Sequence, residues 1–198
     1  MDLPLQSNWR KSKALCYLFE QTLKESTNPK IRRARPEDAK RLAVLATQVF
    51  VHTYATDGIS QVISEHILNE ITPAAYEALL TDTAVFTSVA EQGDNLLGFA
   101  VVHLESVCPD MSDATVELQT LYVQAHFAGK GIGRSLLTKV QELAHLGANS
   151  RIWLTVNAKN AGAIAFYRRQ GYEKIGTTEF VLGGIGHENH VMLGPQQA

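Results

Sequence analysis

The chain has 198 residues, 45% of them hydrophobic, with 18 Lys and Arg against 20 Asp and Glu and a formal charge of −2. That length holds one globular domain with a real core, plus an appendage. The balanced charge argues against a nucleic-acid surface, and no apolar run approaches the ~20 residues of a membrane span.

Residues 1–29 read as an N-terminal helical appendage. Ala14, Leu15, Leu18, Phe19, Thr22 and Leu23 fall on one side of a helix over 13–25, and 26–29 (STNP) reads as a linker. The stripe suits packing on the domain or a homodimer contact; the residues do not separate the two. Asp2 and the charges around a short apolar patch do not resemble a secretory signal. Cys16 and Cys108 have no CxxC spacing, so both read as small buried hydrophobes in a reduced, cytoplasmic setting.

Residues 30–35 form a short strand. Pro36, Glu37 and Asp38 then start a helix whose apolar face is Ala39, Leu42, Ala43, Ala46, Val49 and Phe50, although Arg35 is a weak N-cap. Residues 52–60 (HTYATDGIS) read as a loop, followed by helices over 61–69 and 73–80. Residues 84–90 and 96–104 read as a hairpin around Gly93, Asp94 and Asn95.

The strand expected over 116–123 carries a change of phase. Val116 and Leu118 are apolar at even positions, Leu121 and Val123 at odd ones. A one-residue β-bulge at Gln119-Thr120 produces this, as does a strand buried on both faces. The turn Gly129-Lys130-Gly131-Ile132-Gly133 follows. It feeds a helix with Leu136, Leu137, Val140, Leu143 and Ala144 on one face and Gly147 in a C-cap position. Such a turn leaves helix N-terminal N–H groups unpaired at the positive dipole end, which suits phosphate. A P-loop is excluded, since no Gly-Lys-Ser/Thr occurs. A dinucleotide fingerprint is excluded too, because the next strand (152–156) leads into Asn157, not an acid. Residues 160–170 form a helix ended by Gly171, and strands over 172–182 and 188–193 close the sheet.

Two segments resemble one family. Residues 128–133 resemble its pyrophosphate loop, Q/R-x-x-G-x-G/A, at Gly131 and Gly133, with Ala128 in the first position. The run VNAKNAGAIAFYRRQGY resembles its V…N…A…FY…G[FY] segment at Val156, Asn160, Ala163, Phe166, Tyr167, Gly171 and Tyr172. With both in order, residues 31–193 resemble the GCN5-related N-acetyltransferases. The resemblance implies an α/β fold in three layers (α/β/α), with a mostly antiparallel mixed sheet splayed at its centre for the pantetheine arm of coenzyme A. It implies that 30–198 form a domain using acetyl-CoA as co-substrate, without a metal. His187 and His190 have no cluster that would suggest one. The stretch 52–60 and the tail FVLGGIGHENHVML look like the small bacterial polyamine N-acetyltransferases.

Acetyl transfer needs a deprotonated amine, whose pKa starts at roughly 10.4, and a protonated leaving thiol, whose pKa is about 8.5. Glu117, the only carboxylate inside the central strand, is the candidate base, or else a salt-bridge partner. Tyr167 is the candidate acid by resemblance, or else a core aromatic. The Val123 N–H, freed from pairing by the bulge, is expected to hold the oxyanion. The expected coenzyme contacts are Leu121, Tyr122, Val123, Gly129, Lys130, Gly131, Ile132, Gly133, Arg134, Asn160 and Tyr167. Tyr54 and Asp57 are expected to face the acceptor. No Ser-His-Asp or Cys-His arrangement points to a covalent intermediate, so direct attack in a ternary complex is expected, on a small amine such as a polyamine. Two other readings stand: a protein or peptide N-acetyltransferase, and a non-catalytic acyl-CoA sensor, which would have no need of Tyr167.

Overall fold

The computed structural model describes residues 28–147 and 151–196. The helix expected over 13–25, and Cys16, lie outside the described residues. Seven strands form one sheet: β1 (Lys30–Arg33), β2 (Val85–Gln92), β3 (Asn95–His103), β4 (Val116–Val123), β5 (Ile152–Asn157), β6 (Glu173–Leu182) and β7 (Ile185–Leu193). The spatial order is β1-β2-β3-β4-β5-β7-β6, and only β4 and β5 run parallel. The helices are α1 (Ala39–Tyr54), α2 (Gln61–Glu70), α3 (Pro73–Thr81), α4 (Ile132–Gly147) and α5 (Ala161–Arg169). No helix among the described residues is long and apolar enough to cross a membrane.

Two cores sandwich the sheet, giving the expected three layers. On one face Leu136, Leu137 and Val140 of α4, with Ile164 and Tyr167 of α5, pack on Val102, Val116, Leu118, Leu154 and Met192. On the other, Leu42, Leu45 and Ala46 of α1, with Tyr76 and Leu79 of α3, pack on Val89, Phe99 and Val101. Caps fix the helix starts. Ser60 Oγ accepts from Ile63 N at 3.3 Å, Thr72 Oγ1 from Ala75 N at 3.1 Å, and Asn160 Oδ1 from Ala163 N at 3.0 Å.

The weak cap at Arg35 is compensated from the other side. The Arg35 N–H donates to Asp38 Oδ2 at 2.8 Å. Asp38 is 1% exposed. It also receives the Arg32 fork at 2.6 and 3.0 Å and a bond from Arg41, while Arg32 reaches Glu91 at 2.5 and 2.7 Å. Burial pushes the Asp38 carboxyl up, but these donors together outweigh it and hold the pKa at about 2.

Several boundaries differ from expectation by a residue or more, three of them near the ends of β1, α1 and β7. β1 stops at Arg33. α1 continues to Tyr54 rather than giving way to a loop at His52, where Tyr54 packs at a tilt against Phe50 one turn back, with ring centroids 4.6 Å apart. β7 starts at Ile185, since Gly183 and Gly184, at φ +59° and +79°, close a two-residue hairpin turn directly after Leu182.

The bulge is present. β4 pairs Leu118 with Val102 but Thr120 with Val101, leaving Gln119 unopposed. The extra residue turns Val116, Leu118, Leu121 and Val123 all toward the α4 core, and Tyr122 toward the α1 core.

Candidate active site

The site begins where the sheet comes apart. β4 and β5 pair only at Val116–Ile152 and Glu117–Trp153, after which they diverge. On its other edge β4 stays in register with β3, and Gln124 N–H donates to Leu97 O at 3.0 Å. Antiparallel ladders alternate between bonded and non-bonded pairs. Tyr122 therefore shares the bonded side with Gln124, and the N–H groups of Leu121 and Val123 turn the other way, into the gap. The open Val123 N–H has a different origin from the one expected. The alternation and the splay, not the bulge four residues earlier, leave its N–H toward the opening.

The glycine turn closes one end of the gap. Gly129 and Gly131 sit at φ +76° and +83°, and a Cβ at either would meet nothing within 4 Å. Glycine is needed there for backbone conformation, not for space. No hydrogen bond in the described structure takes up the N–H groups of Gly129, Gly131, Ile132, Gly133 or Arg134. Unsatisfied donors at a helix start fit a pyrophosphate, and the two open N–H groups of β4 fit an amide-bearing arm. Ile132 offers only its N–H, since its side chain is buried in the α4 core. Arg134 lines the opening. Lys130 does not; its ammonium lies over the Phe127 ring at 5.0 Å and its side chain is exposed.

From this turn a cleft of about 1070 Å³ runs along the gap to α1, α2 and β6. Tyr167, from α5, lines it while only 8% exposed. Burial, with Tyr122 adding to it, pushes the phenol up, so it keeps its proton at neutral pH. Asn160 lines the cleft as well as capping α5. Glu117 lines the cleft floor and accepts from Ser106 Oγ at 2.7 Å. Ser106 is itself held: its N–H donates to Thr115 O at 3.0 Å, and its carbonyl accepts from Trp153 Nε1 at 2.7 Å. One carboxylate oxygen of Glu117 is thereby fixed.

Tyr54 lines the far end, between Phe50 and Phe180, and burial raises its phenol. Asp57 is not among the lining residues. It lies beyond the end of α1, exposed in the turn that Gly58 makes at φ +109°. Sequence reasoning passed over Ser106, His66, Phe180 and Asn189. All but Ser106 line the cleft, and Asn189, 8% exposed, leaves its Oδ1 without a partner. Only Phe180 and Asn189 had a signal, in the tail segment. Among the described residues no three His, Cys, Asp or Glu form a metal-binding group.

The model of the Acetyltransferase (GNAT) family matches residues 53–172. An uncharacterized N-acetyltransferase of Mycobacterium tuberculosis is 29% identical over 156 residues, covering 79% of this chain and 96% of that protein. A probable spermine N(1)-acetyltransferase of Bacillus subtilis subsp. natto is 34% identical over 91 residues, 45% of this chain and 59% of that protein. The PaiA N-acetyltransferase of Thermoplasma acidophilum, solved with coenzyme A, shares the fold at a TM-score of 0.71 and 19% identity, over 85% of this chain and 99% of that one. The matched stretch takes in both the open donors of the glycine turn and the buried phenol of α5, and the chain belongs to the acetyltransferase (GNAT) family as an acetyl-CoA-dependent N-acetyltransferase.

Proposed function

We propose that the acceptor is a small polyamine, attacked directly while both substrates are bound. One observation carries the choice of acceptor. The wall that α1, α2 and α3 give to the cleft contains no Lys or Arg, one carboxylate (Glu70), and otherwise mainly aliphatic and aromatic side chains such as Val49, Phe50, Tyr54, Tyr76 and Leu79. With Glu117 in the floor, this suits a chain that alternates methylenes with ammonium groups. The similarity over 91 residues to a probable spermine N(1)-acetyltransferase points the same way.

Acetyl-CoA supplies an activated acetyl thioester; the chain's own residues do the rest. Glu117, oriented by Ser106, takes the proton from the attacking amine. The Val123 N–H donates to the carbonyl oxygen as charge builds on it. Tyr167 holds a proton at Oη for the leaving thiolate. No cysteine among the described residues lines the cleft, and Cys108 is buried beside Trp153 and Leu193, which favours direct attack over an acylated enzyme.

An acceptor panel with acetyl-CoA and thiol detection tests the reading. Spermidine and spermine are expected to turn over well above N-terminal peptides. Turnover of a peptide without turnover of either polyamine would refute the polyamine acceptor.

A further inference from the structure

Four aromatic rings line the cleft where α1, α2 and β6 wall it. Phe50 and Tyr54 come from α1. His66, from α2, stacks on Phe50 at 4.7 Å and 25°. Phe180, from β6, meets His66 edge-on and Tyr54 at a tilt, each at 6.3 Å. All four line the cleft. Phe50 is 4% exposed and backs the group, while Tyr54, His66 and Phe180 are half-buried and keep ring surface on the opening. Glu70, exposed at the last position of α2, borders the same space. The hairpin that carries Phe180 leans on α2 so closely that a Cβ on Gly183 would lie 2.4 Å from Val62 Cγ1. The walls of this end are thus held together across three elements.

We propose that these rings, with Glu70, form the seat of a second ammonium on the acceptor, the one that is not acetylated. This rests on the polyamine reading above and adds a selection rule to it. Aromatic faces carry the negative end of a quadrupole and attract alkylammonium, a compact cation on an apolar stem. The carboxylate at the rim complements the same charge, and no cation from α1, α2 or α3 competes for it. Glu117 marks where one amine reacts and the rings mark where another rests. The enzyme therefore selects amines by the presence of a second charge and by the length of chain between the two. A monoamine fills only the reacting position.

The test compares α,ω-diamines of increasing length with monoamines of the same lengths, using the full chain and acetyl-CoA. One diamine length is expected to exceed its monoamine in kcat/KM, with the gain mainly in KM. In Phe180→Leu that ratio is expected to fall about threefold to thirtyfold, the range of a cation–aromatic contact, in Glu70→Gln by about twofold to fivefold, the range of an exposed ion pair, and Phe180→Tyr is expected to restore it. A wild-type enzyme without any diamine preference, or variants that keep the ratio intact, would overturn the seat and leave polyamine turnover standing. A wild-type enzyme that acetylates neither series removes the polyamine reading, and the seat with it.

Discussion

The two ends of the cleft are made of different material. At the glycine turn the groups that border the opening are main-chain N–H donors, from Gly129, Gly131, Ile132, Gly133 and Arg134, joined by Leu121 and Val123 along the gap. At the α1–α2 end they are side chains: Phe50, Tyr54, His66, Phe180 and Glu70, drawn from three elements. Backbone donors are unaffected by most substitutions and yield only to changes of φ or bulk. Side-chain walls change with each residue. A fold built this way keeps its coenzyme while its acceptor varies, and the two ends should fail differently when altered.

The sharpest test sits at the junction of the ends. Tyr167→Phe keeps the ring in the α5 core and removes only the proton donor. General acid catalysis contributes on the order of 10²–10⁴ in rate. Steady-state kinetics should show kcat lower by that range with acetyl-CoA affinity nearly unchanged, and the loss should be smaller for an acyl donor with a more acidic thiol. A folded variant with wild-type kcat would reduce Tyr167 to packing.

Next in size is Gly131→Glu. It forces a side chain into φ +83° and adds a negative charge at the donor cradle. Calorimetry should show acetyl-CoA binding weakened about tenfold to a hundredfold, with acceptor KM little altered. Unchanged affinity in a folded variant would erase the proposed division between backbone and side-chain ends.

The smallest effect on turnover is expected from Asp38, which belongs to neither end. Its pKa, about 2 when folded, lies below the ordinary carboxylate value. The stabilisation is therefore full above the unfolded pKa, near 3.8, and is lost as pH falls toward 2. It is on the order of 2 kcal/mol. Asp38→Asn should cost about that much in denaturant melts at pH 7 and almost nothing near pH 2, with kcat at pH 7 intact. A stability difference that persists at pH 2 would refute the linkage.

Much of the coenzyme end was legible because its information is local. The phase slip around Gln119 gave the bulge, and the spacing of Gly129, Gly131 and Gly133 gave the turn. Asn160 could be placed because its cap bond to Ala163 needs only three residues. The α1–α2 end was mostly opaque because its parts lie far apart in the chain. His66 sits at an unremarkable position on α2, and nothing near it announces Phe180, more than a hundred residues on. Asp57 was misplaced for a related reason: Tyr54, three residues earlier, turned out to be helical. Ser106 was invisible, since its one signal is the bond it makes to a strand it does not belong to.

The splay between β4 and β5 has a mechanical consequence. Two rungs, at Val116–Ile152 and Glu117–Trp153, are the only ladder pairs that join β4 to β5 among the described residues. The sheet is thus two ribbons stitched at one end and open at the other like a zip. Whatever spans the open length with matched amides adds the missing rungs, so occupancy and cohesion become linked quantities. The enzyme's working stiffness is then partly on loan from its substrate, taken up and given back with each turnover.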